Sequence, residues 1–345
     1  MSEQLSKIDG ITEEELGKIN PGDAEVPEPI ELENEEDQGL INLLQQAQSA
    51  EKSGDLETAN TLLAQYRTEY QNIKESRLPE KISFAEAKEI MGSDFMGPDE
   101  IQKAFDVEVT DVPQIPFSKE ELEKAKELGQ FLILRVDKDQ KGTNLTLKRI
   151  EEIIQPKWEA SGKGKLFRDD RWSLERSEFF DNETPRAGWA LTSKEIVEDT
   201  RYKELLGQMS GMTDYLEKEV FPNNEVPDDF KKAIAEFKAE EGKLIDLTGP
   251  NGNLSEAAEI IGKLKITEIV IPSASEVFYD AITFYENTGK KLLDGYCCTT
   301  STHFFPSHGT FVWISWFGQP DGTTVNSTDL KGLATNGGLL LSRRS

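Results

Sequence analysis

The chain has 345 residues, with 65 acidic side chains against 39 basic ones, a formal net charge of -26 and 36% hydrophobic residues. This supports at least one sizeable core and argues against nucleic acid or anionic membrane as the main partner, since both demand basic surface. The opening residues show no apolar run behind a basic patch, and no stretch of about 18 apolar residues occurs, so a cytoplasmic protein is expected.

Over residues 1–37, 13 acidic side chains face only Lys7 and Lys18, with Pro21, Pro27 and Pro29 among them. Such a segment cannot bury enough apolar surface to offset its ordering entropy, so a disordered acidic tail is expected. Beyond it, Leu40, Leu43, Leu44, Ala47 and Ala50, then Ala59, Leu62, Leu63, Tyr66, Tyr70 and Ile73, recur at spacings of three and four. This predicts two amphipathic helices, with Gly54 as the stop and Asp55 as the next N-cap, a hairpin similar to one tetratricopeptide-type unit. A lone unit cannot bury its apolar face, so it is expected to pack on the following chain or on a second copy. With short helices at Phe84 to Met91 and Pro98 to Phe105 it forms a helical module over 38–112, followed by a linker from Thr110 to Phe117.

Ser118 and Glu121 make a capping box for a helix ended by Gly129, and Phe131 to Val136 is an apolar run of strand length. Thr146 caps a helix carrying Leu147, Ile150, Ile153 and Ile154. Trp158, Phe167, Trp172, Phe179, Phe180 and Trp189 lie along a segment with weak regular pattern, where core filling is the expected role. Helices are predicted at Arg201 to Val220, Asp228 to Leu247, Leu254 to Leu264 behind Asn253, and Ala274 to Asn287 behind a Ser273–Glu276 box, with Gly289 as the stop. After Lys291 the chain reads as strand and loop: Phe311 to Phe317 as a strand, Gly318 to Thr323 as a turn, and Gly338 to Ser342 as a last apolar strand.

The segment from Gly295 to Pro320 is set apart because it contains no Asp, Glu, Lys or Arg in a chain that is 30% charged. It also holds both cysteines, Cys297 and Cys298, and both histidines, His303 and His308. Zinc could use this donor set, but adjacent cysteines in a strand point to opposite faces, whereas paired zinc ligands are usually separated by two to four residues. A Cys–His nucleophilic pair assisted by Asp294 or Asp321 has no required sequence spacing and is weakly signalled, and no phosphate loop, dinucleotide fingerprint or HExxH is present. The expectation is therefore no catalytic residue, no metal and no cofactor. A surface rich in rings and hydroxyls and lacking long charged side chains has instead the composition of a paratope.

Three stretches, NTGKKLLDG (287–295), FVWISWFGQPDGTTVNSTD (311–329) and GGLLLSR (337–343), resemble the C-terminal part of variable proteins of diversity-generating retroelements. Two more, NETPRAGWALTSKEIV (182–197) and IMGSDFMGPDEIQKAF (90–105), resemble a large uncharacterised family of candidate-phyla bacteria. The first resemblance implies a C-type-lectin-like fold whose C-terminal region is rewritten by mutagenic reverse transcription at template adenines. Rewritten asparagine codons can yield Tyr, Ser, Thr, His, Phe, Cys, Asp, Gly or Asn, a set that covers Tyr296, Cys297, Cys298, Thr300, His303, Phe304, Ser307, His308 and Asn326. Trp313 and Trp316 fall outside it, as scaffold or as products of another codon.

The fold expected is thus α+β, the helical module followed by a C-type-lectin-like domain over 113–345 with a variable region at about 295–337. The function expected is non-catalytic binding of a protein or other macromolecule, the alternatives being a structural or protein-interaction module, or a zinc-binding or Cys/His-dependent enzyme. The expected contact residues are Tyr296, Cys298, Thr300, His303, Phe304, Phe305, Ser307, His308, Trp313, Ser315, Trp316, Asn326 and Ser327. The lectin-like reading also predicts that Phe131 to Val136 pairs antiparallel with Gly338 to Ser342.

Overall fold

The computed structural model describes residues 35–76, 82–169, 177–197, 204–221, 226–294, 296–305, 310–315, 317, 321–330 and 337–344. The chain forms two compact units, 1–78 and 79–345. The expected tail lies outside the described residues up to 34, and 35–37 are the first turn of a helix.

In the first unit, α1 (Glu35–Lys52) and α2 (Leu56–Ser76) form the predicted hairpin. Gly54 takes φ +83°, and the Asp55 carboxylate accepts from Thr58 N at 3.1 Å, so stop and cap fall where the sequence places them.

The second unit is α+β. Its helices are α3 (Phe84–Met91), α4 (Pro98–Phe105), α5 (Lys119–Glu127), α6 (Leu147–Ser161), α7 (Glu178–Asn182), α8 (Leu205–Tyr215, continued by a π turn Leu216–Val220), α9 (Asp228–Thr248), α10 (Leu254–Lys263), α11 (Lys265–Val270) and α12 (Ala274–Thr288). The boundary expected near residue 112 is thereby corrected. Helices α3 and α4 belong to this unit, because β1 (Phe95–Met96) between them pairs with β2 (Gln130–Arg135) and their apolar faces enter its cores.

Its described strands make two four-stranded sheets. In the first, the order is β1, β2, β3 (Gly188–Ser193), β8 (Ser342–Arg344), parallel between β1 and β2 and antiparallel elsewhere. In the second, β6 (Thr324–Asp329), β5 (Thr310–Ser315) and β4 (Cys297–Phe305) are antiparallel, and β7 (Gly337–Leu339) adds parallel to β4. The predicted pairing of Phe131 to Val136 with Gly338 to Ser342 does not occur. Gly337 to Leu339 joins the second sheet, Leu340 carries the chain across, and Ser342 to Arg344 joins the first sheet against β3. The neighbour of β2 is β3, in register from Gln130 opposite Ser193 to Arg135 opposite Gly188.

Helix α12 lies against both sheets, and residues 274–284 are buried on every side. Its apolar residues fill the core, where Val277, Phe278, Ala281 and Ile282 pack with Phe131 and Ile133 of the first sheet and Val312 and Ile314 of the second, and its buried polar residues include Ser275, Glu276, Asp280 and Thr283. The Ser273–Glu276 box starts it and Gly289, at φ +70°, stops it. The opposite face of the first sheet is covered by α3 and α5 through Met91, Leu122, Leu132, Leu134 and Leu191. The opposite face of the second is covered by the α8–α11 layer, which reaches Phe311 and Leu339.

Candidate recognition surface

The charge-free segment supplies β4 and β5, so the pleat sorts its residues by face. Register aligns Cys298 with Ile314 and Val325, and aligns Thr299 with Trp313 and Asn326. The first row points into the core beside α12, where Cys298 and Ile314 are fully buried. The second row grades outward, from buried Thr299 through half-exposed Trp313 to exposed Asn326 near the sheet edge. Trp313 is held there by its indole N–H, which donates to Ser327 O at 3.1 Å.

Of the residues expected to contact a ligand, Tyr296 is exposed, Asn326 is exposed, and His303, Trp313 and Ser327 are half-buried. Cys298, Thr300 and Ser315 are corrected to interior positions. Cys298 packs with the apolar core, Thr300 donates its hydroxyl to Val312 O at 3.0 Å, and Ser315 is fully enclosed opposite Cys297. Phe304 and Phe305 end β4, and the placement of their side chains is outside the described set. Ser307, His308 and Trp316 also lie outside the described residues.

His303 sits at a bulge in β4, opposite Phe311, with ring centroids 4.5 Å apart. Bulges re-aim side chains, and this one turns the imidazole toward α10. A Cβ on Gly262 of α10 would come within 2.7 Å of His303 Nε2, so glycine is what allows the close approach. An open groove of about 680 Å³ lies beside it, lined by Asn253, Ser255, Glu256, Glu259, Gly262, Lys263 and His303. Burial pushes the His303 pKa down, and its Nδ1 is enclosed without a hydrogen-bond partner.

The cysteines fit their strand geometry. Cys297 is half-buried while Cys298 is sealed, and burial pushes the Cys298 thiol up to about 12. A thiol held neutral is a poor nucleophile and a poor metal ligand. Among the described residues no group of three or more His, Cys, Asp or Glu is placed to hold a metal ion.

The surface is tied to the core by polar contacts. Thr302 of β4 accepts from Ala274 N at 2.8 Å and donates to Glu183 Oε2 at 2.7 Å, and Glu183 Oε1 accepts from Ser275 N at 3.0 Å. Burial raises the Glu183 pKa, with the Thr302 and Ser275 hydrogen bonds opposing. Deeper, Arg135 of β2 grips Asp280, and its Nη1 lies 3.3 Å from Glu276 Oε1, an ion pair without hydrogen-bond geometry. Arg344 and Arg186 also reach Glu276. Burial pushes Glu276 upward, but Arg135, Arg344 and Arg186 together bring it down to about 2. The signal in the sequence is that Arg135 interrupts the apolar run FLILRV, and that Glu276 and Asp280 stand four residues apart among Val277, Phe278, Ala281 and Ile282.

Comparison of the chain with protein-family models, curated proteins and solved structures gives no match. Among the described residues no helix is long and apolar enough to cross a membrane.

Proposed function

We propose that this is a non-catalytic binding protein whose recognition surface is the part of β4, β5 and β6 that the α8–α11 layer leaves open to solvent. The observation that carries the reading is the division of labour within the charge-free stretch and the neighbouring strand β6. Cys298, Val312 and Ile314 fix the sheet to α12, while Tyr296, His303, Trp313 and Asn326 remain at least partly open to solvent. Rings and amides on a rigid base give contact area at low entropy cost and tolerate replacement. The resemblance to variable proteins of diversity-generating retroelements supplies a reason for such a surface to exist, and with it a C-type-lectin-like domain as the finer fold assignment. The ligand is a protein or other macromolecule, bound in the cytoplasm, and no cofactor takes part.

The test is the coding locus. A second, near-identical copy of the stretch encoding Tyr296 to Asn326, differing at adenines and lying beside a reverse-transcriptase gene, is the expected finding. A locus without such a copy, with the same codons at Tyr296, His303 and Asn326 in every isolate, contradicts the diversified reading.

A further inference from the structure

Among the described residues β6 has β5 on one side, paired in unbroken register from Thr324 opposite Ser315 to Asp329 opposite Thr310. On its other side the described backbone neighbour stands only at its entry, where Thr323 N donates to Leu166 O at 2.9 Å and Arg168 N donates to Thr323 O at 3.3 Å. Along a strand the N–H and C=O of one residue point to the same side, and the side alternates from residue to residue. Thr323 turns away from β5, so Val325 and Ser327 do as well. The next strand agrees: Val312, opposite Ser327, accepts from the Thr300 hydroxyl of β4 at 3.0 Å and so turns its carbonyl away from β6.

Ser327 therefore carries an outward amide and an outward carbonyl, and side chains occupy both. Its N–H donates to Asn326 Oδ1 at 2.8 Å, and its O accepts from Trp313 Nε1 at 3.1 Å. An edge strand is a template for another chain, and proteins blunt it with lysine, proline, bulges or shortness. β6 has six residues in unbroken register and no Lys, Arg or Pro. Thr324 to Thr328 also carry no charge in a chain of net charge -26, so a second copy can meet this edge without like charges opposing across the strands. Two-fold antiparallel pairing about Ser327 is self-complementary, sets each Asp329 beside a Val325, and keeps the two Asp329 residues apart.

We infer that β6 is a docking edge for the β6 of a second copy, and that Asn326 and Trp313 hold it shut by occupying the amide and the carbonyl such pairing would use. A residue without an acceptor at position 326 frees the Ser327 N–H, which water satisfies in a single copy and a neighbouring strand satisfies in a pair.

Sedimentation of the full chain compares the parent with Asn326→Ala, Trp313→Phe, Tyr296→Ala and a double variant, Asn326→Ala with Ser327→Pro, and thermal midpoints are measured alongside. Expected is self-association about tenfold or more tighter than the parent's in Asn326→Ala and in Trp313→Phe, and unchanged in Tyr296→Ala. Proline at position 327 removes an N–H that points away from β5, so the double variant should return to the parent's association with a midpoint close to that of Asn326→Ala. Association in Asn326→Ala no tighter than the parent's overturns the inference. So does tightening that Ser327→Pro leaves in place, or a collapse of the midpoint on adding Ser327→Pro, since the N–H would then belong to the pairing with β5.

Discussion

Arg135 Nε and Nη2 donate to the two carboxylate oxygens of Asp280, at 2.9 and 2.5 Å, with both side chains fully buried. The pair joins β2 to the middle of α12, and Thr192 and Ser342 complete it from β3 and β8. One strand residue thus organises three neighbouring strands around the helix that carries the second sheet. Removing Asp280 takes both charge-assisted hydrogen bonds from buried Arg135 and leaves it only the Glu276 carboxylate, at 3.3 Å, as counter-ion. Asp280→Ala is therefore expected to cost about 3–5 kcal/mol in chemical denaturation, while a combined Arg135→Met, Asp280→Leu variant recovers much of that loss. Equal stability of Asp280→Ala and the parent contradicts the assignment.

Stability should fall in acid through Glu276. Its folded pKa is depressed to about 2 from an ordinary value of 4.5, so its contribution is complete above about pH 4.5 and is lost as pH falls toward 2. Glu183 has the opposite sign: its pKa is raised, so its contribution is present below the ordinary value of 4.5 and is lost as pH rises through the raised one. Glu183→Gln should be at least as stable as the parent at pH 7 and lose that advantage by pH 4, as read from thermal midpoints across pH.

The two cysteines should differ in reactivity. In the native protein at pH 8, maleimide is expected to label Cys297 slowly and Cys298 not at all, and both should label in denaturant. Mass spectrometry of peptides reads the outcome, and rapid native labelling of Cys298 contradicts its burial.

Gly262→Ala should displace the His303 ring, since the added methyl group would stand 2.7 Å from Nε2. Alanine is the better helix former by about 1 kcal/mol, which offsets part of the steric cost. The expected result is a changed imidazole resonance with a stability change within about 1 kcal/mol.

Much of this architecture is legible in local sequence. The boxes at Ser118 and Ser273 and the caps at Thr146 and Asn253 lie where their side chains predict, because capping depends on three or four adjacent residues. The partner of β2 was not legible. Residues 188–193 read as part of an irregular aromatic segment, and strand pairing is decided by packing between distant pieces of chain. Composition singled out the segment from Gly295 to Pro320, but the burial of Cys298 on the α12 side and of Ser315 on the opposite side required the register of β4 on β5. Strand alternation alone left the face undecided, since both sides of this sheet are partly covered.

The central claim is that Tyr296, His303, Trp313 and Asn326 can change while the sheet beneath them cannot. Its most direct measurement is the folded fraction of two displayed libraries of the full chain, scored by protease resistance. One is randomised at Tyr296, His303, Trp313 and Asn326, the other at Cys298, Thr300, Ser315 and Leu340, all nearly or fully buried. Most members of the first should remain folded, at about 0.5 kcal/mol or less at exposed Tyr296 and Asn326 and somewhat more at half-buried His303 and Trp313, and most of the second should unfold through cavities and buried polar groups. Equal loss of folded protein in both libraries would contradict the account.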